Sequence, residues 1–89
     1  MEPNIIAKYD GLTVICGGHG IVIHDAQGEQ GHSVGVLFDK VVFEELQAMC
    51  RLSIHTVADM GVDRAYTAAV ALARLFGGDV YTSFTETRQ

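Results

Sequence analysis

Basic residues are scarce in this chain, cysteines are scarcer, and no apolar run is long. Six Lys and Arg stand against eleven Asp and Glu, and the six (Lys8, Lys40, Arg51, Arg64, Arg74 and Arg88) are scattered. Gripping a nucleic-acid backbone takes clustered cations, so a net charge of −5 speaks against that partner. Two cysteines, Cys16 and Cys50, do not make a disulfide framework. No apolar stretch approaches the ~20 residues that a membrane helix needs. The opening MEPNIIAKYD lacks the basic-then-apolar pattern of a secretion signal. The expectation is a cytoplasmic protein with both thiols reduced, no membrane partner and no nucleic-acid partner.

What is abundant is apolar surface. Of the 89 residues, 48% are hydrophobic and 19% charged, which is more apolar area than one small domain (1–89) easily hides. Removing leftover apolar area from water is worth about 25 cal/mol per Å², so a homodimer is the default expectation. The acidic balance is ordinary for solubility and would suit a basic protein partner.

The first half of the chain reads as strands. Asp10-Gly11 separates Ile5–Tyr9 from Leu12–Cys16, and Asp-Gly between apolar runs marks a two-residue hairpin. That turn pairs Tyr9 with Leu12, Ala7 with Val14 and Ile5 with Cys16, which makes those six residues the core candidates. Ile6, Lys8, Thr13 and Ile15 take the other face. A third strand, Ile21–Asp25, and a fourth, His32–Phe38, flank a polar Gly-rich loop. With Asp25 opposite His32, the residues Ile21, Ile23, Val34, Val36 and Phe38 share a face with that pair. Val22, His24, Ser33, Gly35 and Leu37 share the opposite face, where Val22 and Leu37 are candidate dimer contacts.

Asp39 reads as an N-cap, with Phe38 and Phe43 at staple positions. A helical period runs through Val42, Phe43, Leu46, Met49, Cys50, Ile54 and Val57. Ser53–Thr56 is a candidate break, after which Thr56 could cap another helix, so residues 40–76 hold two helices or three. Gly61 reads as either a C-cap or an interior glycine. Asp63–Phe76 is an alanine-rich helix with a stripe of Tyr66, Ala69, Val70, Ala73 and Phe76, ended by Gly77-Gly78. Asp79–Thr85 then alternates as a strand, with Val80, Thr82 and Phe84 facing one way and Tyr81, Ser83 and Thr85 the other. The fold class is α+β: a mainly antiparallel sheet in the order ββββααβ, with its helices on one face.

Candidate chemistry is sparse. Cys16 and His19 have metal-ligand types at a usable spacing, with His24 and His32 nearby, but a closed site wants four convergent ligands. Cys16 falls on the apolar face, and His24 and His32 point to opposite faces, so no metal is assigned. The glycines at 17, 18 and 20 lead into a strand rather than a helix, unlike a phosphate-cradling loop, and read as a turn. Cys50 and His55 are five apart on a helix and do not meet. Asp25 beside His32 could raise the imidazole pKa, yet no nucleophile accompanies the pair, and a polar pair pinning the hairpin is preferred. Tyr9 and Tyr66 read as core and Tyr81 as an edge residue.

The expected function is therefore a small, acidic, non-enzymatic protein-binding module, such as an inhibitor, adaptor or regulatory subunit, acting as a homodimer without a cofactor. Its binding surface is placed on the loop residues Gln27, Glu29, Gln30 and His32 and the last-strand residues Tyr81, Ser83 and Thr85. Two alternatives stand beside it. One is a metal- or small-ligand-binding regulator using Cys16, His19, His24 or His32. The other is a phage-type inhibitor of a host protein machine.

Overall fold

A computed structural model of the chain describes residues 4–17, 19–27, 32–61 and 63–82. Five strands and two helices follow in the order β1 (Asn4–Tyr9), β2 (Leu12–Gly17), β3 (Gly20–Asp25), β4 (His32–Leu37), α1 (Phe43–Val57), α2 (Arg64–Phe76) and β5 (Asp79–Tyr81). All neighbouring strands pair antiparallel in the spatial order β1-β2-β3-β4-β5, so this is the α+β fold with an antiparallel sheet that the sequence predicts. Among the described residues no helix is long and apolar enough to cross a membrane.

Asp10 and Gly11 both adopt positive φ, 52° and 86°, which is the backbone a type I′ turn requires. Tyr9 faces Leu12 and Ala7 faces Val14, as that turn dictates. Beyond Ala7 the register shifts at a bulge, and Ile5 pairs with Ile15 rather than Cys16. The extra residue, Ile6, turns inward beside Ala7, and Ile5 is exposed on the outer face. The expected core placement of Ile5 is thereby corrected, and that of Ile6 reversed. Gln47 Nε2 from α1 donates to the Ile6 carbonyl at 3.3 Å, which ties the bulge to the helix above it.

From β2 to β4 the register is the expected one, with Asp25 opposite His32 and Ile23 opposite Val34. Leu12, Val14, Ile21, Ile23, Val34, Val36 and Phe38 are buried beneath the helices. From α1 come Leu46, Cys50, Ile54 and Val57, and from α2 Ala65, Ala68, Ala69, Leu72 and Ala73. The small alanine face lets α2 settle closely on β3 and β4.

Three helical details differ from the sequence pattern. Helix α1 begins at Phe43 after an extended Val42, not at Asp39. Val41 instead packs against the core, and two adjacent β-branched residues resist a helical start. No break occurs at 53–56: α1 is continuous to Val57, its Ile54 and Val57 are buried in the core, and Thr56 Oγ1 is turned back onto the Leu52 carbonyl at 2.8 Å rather than capping a new helix. Residues 40–76 thus hold two helices, and Gly61, at φ 79°, belongs to the link between them. The buried stripe of α2 is rotated from the expected one, with Tyr66 exposed. Gly77 closes α2 in the left-handed conformation, as predicted.

Candidate functional site

Among the described residues the structure brings together one buried polar cluster and leaves one broad apolar face uncovered. The cluster centres on Arg64, the first residue of α2. Its Nε and Nη2 donate to the two Asp25 carboxylate oxygens at 3.1 and 2.8 Å. Nη1 donates to Asp10 Oδ2 at 3.1 Å and to the Ala58 carbonyl at 2.9 Å, and Nη2 also reaches the Asp10 carbonyl at 3.1 Å. A guanidinium has five N–H groups in a fixed fork, and each finds an acceptor here. The hydrogen bond to Asp25 is the main cause that raises the Arg64 pKa, with burial opposing it. A cation so fully satisfied has no donor left for a substrate. The cluster is a clasp that joins the β1–β2 turn, the end of β3 and the α1–α2 link.

Asp25 was expected to matter through His32. The two are cross-strand partners, but both Asp25 oxygens are held by Arg64, and Oδ1 also accepts the Gln27 amide at 3.0 Å. A signal for Arg64 was present in the sequence. The register sets Asp25 on a face otherwise lined by Ile21 and Ile23, and a carboxylate there requires a buried cation. Which of six cations supplies it depends on the docking of α2.

The histidines do not assemble. His24 Nδ1 lies 2.7 Å from Ser33 Oγ on the outer face, while His32 faces the helix side. His55 stacks on Tyr9, with ring centroids 3.8 Å apart and planes at 24°. That contact explains why Tyr9, expected in the core, sits half exposed at the margin of α1. Among the described residues no group of three His, Cys, Asp or Glu side chains converges to hold a metal ion.

Cys16 and His19 do line one cleft of about 640 Å³, with Phe38, Phe43, Leu46 and Phe76 as its apolar walls and Lys40 among its polar lining. Cys16 is half-buried there, whereas Cys50 lies wholly inside the core. Burial, and then proximity to Cys16, push the Cys50 thiol up to about 12. In native protein a small alkylating reagent should therefore label Cys16 and spare Cys50, as read by peptide mass mapping. The same shift sets an alkaline limit on stability. Unfolded chain releases the Cys50 proton above its ordinary value of 9.0, while native protein holds it to about 12. Stability due to the neutral thiol is complete below pH ~9 and is lost as pH rises through that window, by a few kcal/mol in all. Denaturant midpoints of the wild type and Cys50→Ala should converge across it.

The uncovered face is the side of the sheet away from both helices. One register row crosses all five strands: Ile5, Ile15, Val22, Gly35 and Tyr81. Beside it run Gly17, Gly20, Leu37 and Asp79 on one side, and Lys8, Thr13, His24 and Ser33 on the other. Ile5, Val22, Leu37 and Tyr81 are 36–48% exposed, although β-strands bury such side chains when a second layer covers them. Glycines at 17, 20 and 35 leave a shallow hollow of about 540 Å³ between Val22, Leu37 and Tyr81.

The chain matches no known family model, no curated protein and no solved structure.

Of the residues expected to bind, Tyr81 lies on the uncovered face, as do the expected dimer residues Val22 and Leu37. Gln27 does not. Its Nε2 folds back to the Asp10 carbonyl at 3.1 Å, which pins the start of the β3–β4 loop to the first hairpin. Glu29, Gln30, Ser83 and Thr85 lie outside the described residues. Ile15 lies on this face as its alternation predicts, whereas Ile5 does not follow the expected register, because the bulge that turns it outward leaves no plain mark in an apolar run.

Proposed function

We propose that this chain is a non-catalytic protein-binding module whose working surface is the helix-free face of the sheet. The single observation that carries the reading is the apolar row Ile5, Ile15, Val22 and Tyr81, with Leu37 beside it. Leu52 on α1 and Leu75 on α2, also exposed, stand on different helices, and single apolar side chains on a helix surface are tolerated. Aligned side chains on adjacent strands differ, because one partner can remove all of them from water together. Among the described residues the face carries a Lys and an Asp only at its corners, so recognition rests on apolar area, with Tyr81 the side chain best suited to anchor it. The clasp at Arg64 supports a binding rather than catalytic role, since its donors are committed to holding the fold.

A photo-crosslinking side chain placed at Val22 should yield a covalent protein adduct in the native cell. The same group at Leu75 should yield none. Equal labelling from both positions, or none from Val22, would remove the sheet face as a binding surface.

A further inference from the structure

We propose that the partner seated on this face is a second copy of the chain, packed face to face about a two-fold axis that sets Lys8 of each copy against Asp79 of the other. The inference rests on the reading of the face as a docking surface, and adds the occupant and its geometry.

Three observations carry it. The first is charge. On the outer face Lys8 stands on the β1 edge in one flanking row, and Asp79 stands on the β5 edge in the opposite flanking row. They occupy diagonal corners. A two-fold axis lying in the contact plane, perpendicular to that diagonal, exchanges the corners, so one chain's own residues supply both ion pairs. The other described positions of the three rows hold no Asp, Glu, Lys or Arg. Like-charge repulsion between two chains of net charge −5 is spread elsewhere, on Asp10 in the first turn, Glu44 and Glu45 on α1, and Asp63 before α2. An isologous interface asks for this kind of self-complementarity.

The second is shape. With strand spacings of about 4.8 Å and about 3.4 Å per residue, the diagonal two-fold crosses the strands of the two copies at roughly 70°, close to the orthogonal class of sheet packing. Val22 then sits near the axis against its own counterpart, and Ile5 meets Leu37. The glycines at 17, 20 and 35 leave room for side chains arriving from the other sheet.

The third is area. Four strands of six residues and the three-residue β5 present a face at most about 20 Å on a side, and stacking two of them removes up to about 1,000 Å² from water, the size at which a specific interface becomes sustainable.

The test is sedimentation velocity across the micromolar range with four proteins. Wild type should be a dimer. Val22→Glu, a change at an already exposed side chain, should leave the circular dichroism intact and weaken association at least ~100-fold, since it brings two carboxylates together at the axis. Lys8→Glu should weaken association about tenfold, and the double variant Lys8→Glu/Asp79→Lys should return to within about threefold of wild type. A dimer indifferent to Val22→Glu overturns the inference, and so does a double variant no better than Lys8→Glu. A monomeric wild type also overturns it. In that case an adduct to a different protein from the Val22 photo-crosslinker leaves the docking reading standing, and the absence of any adduct removes both.

Discussion

Replacing Arg64 with Ala should lower the free energy of unfolding by about 3–5 kcal/mol, the largest loss expected from any single polar change in this chain. The cost arises at Asp25 rather than at the arginine. The Asp25 side chain is only 9% exposed, so without the guanidinium it is left as a buried charge that water cannot reach well. Asp10, at 47% exposure, can be hydrated instead and should contribute little. A domain of 89 residues is stable by about 4–13 kcal/mol, so Arg64→Ala leaves it near the edge of folding. Arg64→Lys should recover only part of the loss, because an ammonium cannot reproduce the fork that reaches Asp25, Asp10 and the Ala58 carbonyl together. Removing both buried charges, as Asp25→Leu/Arg64→Met, should restore most of the stability. Urea midpoints of the four proteins decide the matter. If the double variant is no more stable than Arg64→Ala, the loss is not that of a stranded carboxylate.

Gly20→Ala should be nearly as damaging, at about 3 kcal/mol, the upper end of what overpacking by one methyl group costs. Gly20 pairs with Leu37 where β3 begins. A methyl group there would lie 2.1 Å from the Val36 carbonyl oxygen and 3.0 Å from Leu37 Cδ2. The oxygen belongs to a paired strand and cannot rotate away, so the β3–β4 ladder must open at that end. Gly17→Ala, its partner across the β2–β3 hairpin, provides the control. A methyl group at Gly17 meets nothing within 4 Å, and the change should stay within about 0.5 kcal/mol. Equal urea midpoints for the two variants would refute the close approach. Amide exchange should quicken at Val36 and Leu37 in Gly20→Ala alone. Gly20 also lines both the cleft beside Cys16 and the hollow of the outer face, so the change should perturb both surfaces.

Short-range chemistry made much of this fold legible. Asp10-Gly11 demands positive φ at both residues, and the turn that results sets the pairing of its immediate neighbours. Alternation along β3 and β4 sorts Ile21, Ile23, Val34 and Val36 to one side and Val22 and Leu37 to the other, so the two outer-face residues are legible in the sequence. Longer apolar runs were less informative. In Ile5-Ile6-Ala7 every residue suits either face, so the bulge is invisible until α1, through Gln47, meets it. Tyr9 and Tyr66 look like core residues by composition, but an amphipathic ring is stable at a margin, and the rotation of α2 decides for Tyr66.

The amino-acid sequence by itself determined the element order, the β1–β2 turn, the inward face of β3 and β4, the end of α2 and the lack of clustered cations. Each follows from backbone sterics, side-chain alternation or charge counting, which act over a few residues. Only the tertiary structure decided that Arg64 is the cation answering Asp25 and that Gly20 lies against a neighbouring carbonyl. Those outcomes depend on contacts between residues 16 to 54 positions apart, where packing selects one partner from several that local chemistry allows equally.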